Sequence, residues 1–248
     1  MNNSTKKIIT GLLLVLTTLL PVLLTTAGCS NDNAATTTVQ VANAKSLLAL
    51  GIDKSQSVVN YRQVDTAFID GLCRVVENGG GLVIAYAIGE PTDKSGIRCY
   101  LQKVPPMNVE LTLSQQVALK QTIDSLKASN NKLITAFLKA VNEQILGPPG
   151  SAKAKNTDIN GFFKKIDLLA AEPQNRDMNK YVFVFSDGMQ SVNGVDAPAK
   201  YKFLDPNSFS LYLAGWKTPP PSDLVATKRF EDPEGFLMYM RSINSAKI

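Results

Sequence analysis

The 248-residue chain contains no histidine. Ser-His-Asp and Cys-His catalysis and His-ligated zinc are therefore excluded, at least from this chain alone. A strong excess of one charge is also missing: 26 basic against 21 acidic residues give a formal net charge of +5, and no run of lysines forms a stripe. So mild and scattered an excess gives no footing for nucleic acid. There is no internal repeat, and the one long apolar run, Ile8 to Leu24, sits at the amino terminus.

That run follows Lys6 and Lys7, is interrupted by Pro21, and is short for a bilayer span. A cleaved signal peptide over residues 1–28 accounts for it better than a permanent membrane helix. Thr25-Thr26-Ala27-Gly28-Cys29-Ser30 places small residues before a single cysteine and resembles a bacterial lipobox. The resemblance implies that Cys29 is acylated and becomes the mature amino terminus. Thr26 departs from it, standing where such boxes usually carry Leu. The plain alternative is an ordinary signal peptide cut nearby, with Cys29 incidental. Ser30 after the cysteine, in place of Asp, resembles lipoproteins sent to an outer membrane. A secreted protein, lipid-anchored at the bacterial cell envelope, is the expectation. Loss of residues 1–28 removes two lysines and no acid, leaving 24 basic against 21 acidic residues, a net charge of +3. Residues 29–44 are polar and read as a flexible tether. Residues 45–248 are enough for one α/β domain with a substantial core.

Within that domain apolar runs alternate with helical spacing. Ser46–Ile52, Leu82–Ile88, Tyr181–Phe185 and Phe209–Gly215 read as buried strands, and Ile97–Val104 as an edge strand stopped by Pro105-Pro106. Helical spacing covers Asn60–Asn78, Asp158–Ala171, Pro233–Ile243 and the long stretch Ser114–Leu146, which allows two helices joined near Ser129-Asn130-Asn131. The alternation predicts a mainly parallel sheet covered on both faces. Cys73 and Cys99 read equally as a disulfide of an oxidising compartment or as two buried thiols.

In such sheets ligands bind beyond the carboxyl ends of the strands. The first strand runs into Asp53-Lys54-Ser55-Gln56-Ser57, the central one into Ser186-Asp187-Gly188. Carboxylate and hydroxyl oxygens, with water, suit a hard cation, Mg²⁺ or Mn²⁺. These residues resemble the metal-ion-dependent adhesion site of the von Willebrand factor A family. Asp53, Ser55 and Ser57 match its Asp-x-Ser-x-Ser element, Asp187 matches the Asp after the fourth strand, and Thr157, opening the helix before that strand, is chosen for its Thr. Thr122 and Thr135 lie inside helical patterns and fit less well. The resemblance spans about Ala44 to Ile243. It implies a Rossmann-type three-layer sandwich, with a mainly parallel sheet and one antiparallel edge strand. It also implies a cation whose open position is completed by an Asp or Glu of a protein or peptide partner. The helical insert at about 114–146 departs from the family.

Rival motifs are weak. Gly147-Pro148-Pro149-Gly150-Ser151-Ala152-Lys153 lacks the Gly before Lys and the Ser or Thr after it, and follows a helix, so no nucleotide site is expected. Gly79-Gly80-Gly81 precedes its strand and is no dinucleotide fingerprint. An aspartyl-phosphate phosphatase needs a second acid where Ser55 stands, so no enzyme is expected. The alternative is a metal-independent scaffold subunit of an envelope assembly. Tyr212, Trp216 and Pro219-Pro220-Pro221 would serve such a scaffold as a contact, or belong to core and packed loop.

Overall fold

The computed structural model of the protein describes residues 45–55, 58, 64–89, 96–107, 111–147, 156–192, 194–217 and 225–245. Cys29, the leader, the tether and Ser57 lie outside the described residues. Strand β1 (Ser46–Asp53) is apolar on both faces, as a central parallel strand must be. Asp65 then caps α1 (Thr66–Gly79), its carboxylate accepting from the Phe68 amide at 2.7 Å. This cap moves the helix start from the expected Asn60 to Thr66. Gly80, at φ 72°, ends α1, and a Cβ there would lie 2.8 Å from the Lys103 backbone nitrogen. Strand β2 (Gly81–Ile88) follows, then β3 (Ile97–Leu101), which stops before the expected Val104.

Helix α2 (Leu113–Val141) is continuous through Ser129-Asn130-Asn131 and ends in a π-helical turn, Asn142–Leu146. The polar triplet is therefore no break. Asn130 is fully buried and spends its amide on tertiary contacts: Oδ1 accepts from Gln102 N at 3.0 Å, and Nδ2 donates to Gln102 O and to Glu77 Oε1. It fastens the helix to the end of the edge strand and to α1. Beyond it come α3 (Ile159–Ala171), capped by Asp158, and β4 (Asn179–Phe185). A two-stranded hairpin, β5 (Met189–Val192) and β6 (Val195–Pro198), precedes β7 (Ser210–Ala214), β8 (Lys228–Phe230) and α4 (Pro233–Ser245).

The main sheet has the order β3-β2-β1-β4-β7-β8, parallel throughout except for the antiparallel edge strand β3. It is an α/β sandwich with helices on both faces. Leu48, Leu50 and Ile52 of β1 join Phe183 and Phe185 of β4 under α1, α2 and α4, where Phe183 and Phe236 stack at 4.3 Å. The alternate residues, Leu47 and Ala49 with Val182 and Val184, pack against Phe162, Phe163 and Ile166 of α3. Gly51 belongs to this second set: a Cβ there would lie 2.7 Å from the Phe162 ring, so a side chain would push α3 off the sheet. Cys73 and Cys99 lie in the first core as free buried thiols, not as a disulfide.

Candidate metal centre

The chain runs outward from β1 to β2 and β3, then returns to place β4 on the other side of β1. The strand order reverses between β1 and β4, and the crevice beyond their carboxyl ends is the default ligand site of an open α/β sheet. Asp53 ends β1 there. Ile52 pairs with Phe185, so the next residue of each strand, Asp53 and Ser186, are opposed. Both continue the set of positions that faces α3, and both are buried. Ser186 Oγ donates to Asp53 Oδ2 at 2.6 Å and accepts from the Gly188 amide at 3.1 Å. Asp53 Oδ1 accepts from the Ser55 amide at 2.8 Å, and the Ser55 hydroxyl adds a further hydrogen bond.

Asp187 is buried beside this pair. Its Oδ1 accepts from Met189 N at 3.0 Å, closing a tight turn in which Gly188 takes a φ of 83°, the left-handed region that glycine adopts without strain. The turn leads into β5, and β5 reaches Thr157. Thr157 N donates to Ser191 O at 2.8 Å, and Ser191 N returns the bond to Thr157 O at 3.0 Å. Gln190 Oε1 accepts from Asn160 N at 3.0 Å, one of the amides that the start of α3 leaves without a helical partner. Thr157 is buried, and three hydrogen bonds from the hairpin hold it and the first turn of α3 close to the chain leaving Asp187.

Burial pushes the Asp53 carboxyl above its ordinary value of 3.8. The hydrogen bonds from Ser186 and Ser55 oppose this, and the negative charge of Asp187 adds to it. A second carboxylate beside the buried Asp53 makes its ionised form less favourable, and positive charge placed beside it would relieve this.

No protein-family model matches the chain, and no curated protein matches its sequence. Among solved structures it is similar in arrangement to proximal thread matrix protein 1 from the mussel byssus, at TM-score 0.37 and 13% identity over 81% of this chain and 47% of that one. It is similar also to the pilus adhesin SpaC from Lactobacillus rhamnosus GG in its open conformation, at TM-score 0.36 and 10% identity over 82% of this chain and 30% of that one. The chain spans less than half the length of either structure.

The structure thus brings Asp53, Ser55 and Asp187 to one crevice and ties Thr157 to the hairpin that borders it, while Ser57 lies outside the described residues. Sequence reasoning missed two contributors. Ser186 joins the strands, a role set by the register of two segments 133 positions apart. Gln190 lies on a hairpin whose signal, Asn193-Gly194 between Val192 and Val195, is legible in the sequence. The donor set is oxygen alone, two carboxylates and neighbouring hydroxyls, which fits a hard cation that keeps part of its water. An ionised carboxylate offers about four lone-pair positions, so the three hydrogen bonds to Asp53 leave it able to accept one more partner.

Proposed function

We propose that this chain is a lipid-anchored cell-envelope protein of the von Willebrand factor A kind, which grips a protein or peptide partner through a bound Mg²⁺ or Mn²⁺. The observation that carries the reading is the convergence of buried Asp53 and Asp187, with Ser186 between the strands, at the switch point of the sheet. Asp53, Ser55, Ser57, Thr157 and Asp187 would hold the ion, directly or through water. The ion supplies a Lewis-acidic position that an Asp or Glu of the partner completes. The chain's own part is electrostatic and geometric. Ser186 orients Asp53, the turn at Gly188 aims Asp187, and the hairpin sets Thr157. No covalent step is proposed, and partner binding is expected to vanish in EDTA.

The anchor in this reading is acylated Cys29. Among the described residues no helix is long and apolar enough to cross a membrane. A second reading, a scaffold that binds its partners without metal, draws on the hydrogen bonds that already satisfy Asp53 inside the protein. Mn²⁺ separates the two. Wild-type protein should remove the sharp electron paramagnetic resonance signal of free Mn²⁺, and Asp187→Ala should leave that signal standing. Equal sequestration by Asp187→Ala would place the metal elsewhere.

A further inference from the structure

Helix α2 is far longer than its seat on the domain. From Asn130 onward it runs back beside β3, with Ile134, Phe137 and Val141 in the core and Leu133 and Phe137 lining a groove shared with Ile97 and Cys99. Asn130 itself is fixed to Gln102, one residue past the end of β3. Leu101 pairs with Gly81 and Gly81 with Ser46, so Gln102 marks the edge of the sheet where the parallel strands begin. The seventeen residues from Leu113 to Ser129 therefore extend past that edge, about 25 Å at 1.5 Å per residue. Ile123 is the buried residue among them.

The tip of this projection is apolar and exposed: Leu113 is 79% and Val117 51% accessible. Lys120 stands exposed two helical turns behind Leu113, ahead of Asp124 and Lys127 nearer the domain. An apolar end backed by a lysine suits a bilayer surface, where a long cationic side chain reaches the headgroups while apolar groups dip below them.

The position of the tip selects the occupant. Lys45, at which the preceding chain joins the domain, lies at this same edge, next to Ser46, whose amide donates to Gly80 O at 3.0 Å. Cys29 is sixteen residues before Lys45. A coil of that length has a root-mean-square span of about 20–24 Å, close to the reach of the projection. The crevice holding Asp53 and Asp187 is at the opposite edge.

We propose that the amino-terminal half of α2, with Leu113 and Val117 at its tip, is a foot that stands on the membrane surface and holds the Asp53–Asp187 crevice away from it. The inference rests on the anchored reading given above together with the direction of α2. The acyl chains supply the attachment; the foot supplies orientation.

The test uses the full chain, purified from a bacterial host and reconstituted into phosphatidylethanolamine and phosphatidylglycerol vesicles. A single cysteine carrying an environment-sensitive fluorophore replaces Leu113 in one variant (Leu113→Cys) and Val195 at the hairpin tip in another (Val195→Cys). Cys73 and Cys99, being buried, stay unlabelled. Spin-labelled lipid should quench the probe at 113 several-fold more than the probe at 195, and Val117→Glu should remove that difference. Equal, weak quenching at both positions on an acylated protein would overturn the foot and leave the anchor standing. The mass of the amino-terminal peptide reports on the anchor separately: an unmodified Cys29 would defeat the anchored reading, and the foot with it.

Discussion

At Asp53 a single carboxylate carries opposing demands. Buried and facing Asp187, it holds its proton more tightly in the folded chain than in the unfolded one. Between 3.8 and its raised folded value the native state therefore binds more protons than the unfolded state. Stability of the metal-free protein is then expected to fall as pH rises through that window. Asp53→Asn removes the buried charge and keeps the shape. In EDTA at pH 7 it should raise the unfolding temperature. The gap should close below pH 3.8, where both side chains are neutral. Thermal scans across pH check this, and a lower unfolding temperature at pH 7 would contradict it. Asp53 and Asp187 were legible in the sequence because polar residues directly after apolar strands stand out. Ser186 stood out in the same way, but its role did not, since that arises only when β1 and β4 are laid side by side.

Among the elements, the apolar runs announced β1, β2, β4 and β7 almost to the residue, because strands buried on both faces have no other pattern. The start of α1 and the continuity of α2 turn on single polar side chains, the first with a local partner and the second with remote ones. Asp65 chose where α1 begins, and Asn130 turned an apparent break into a clamp. β8 escaped notice because its three residues, Lys228-Arg229-Phe230, are too few to show a period. Asn130→Ala would leave the backbone N–H and C=O of Gln102 without this partner and take one hydrogen bond from Glu77, which keeps Arg74. A loss of about 2–3 kcal/mol is expected from the unsatisfied groups, measured by urea denaturation. The metal centre, built on other elements, should keep its affinity. A stability change below about 0.5 kcal/mol would show that the clamp is dispensable.

At the scale of the whole molecule, the proposed roles fall at the two edges of one sheet: the crevice at the carboxyl ends, and the projecting helix at the amino ends. Between them the core is apolar enough to hold two thiols un-ionised. Burial pushes Cys99 up to about 11 and Cys73 further in the same direction. Ellman's reagent should therefore find neither in the native protein and both after unfolding in guanidinium without reductant. A single slow-reacting or absent pair in the unfolded chain would instead reveal a disulfide. The sequence conveyed the layered architecture, since alternation of strand and helix constrains it strongly. It did not convey which end of α2 would leave the domain, because periodicity describes a helix face and not its neighbours.

The most direct test of the account is calorimetric titration of the purified protein with Mg²⁺ and with Mn²⁺, beside its Asp53→Ala and Thr157→Ala variants. Saturable binding of about one ion per chain, abolished in Asp53→Ala and weakened at least tenfold in Thr157→Ala with both variants still folded, is the expected result. A folded wild-type protein that takes up neither ion would contradict the metal-dependent grip and leave the scaffold in its place.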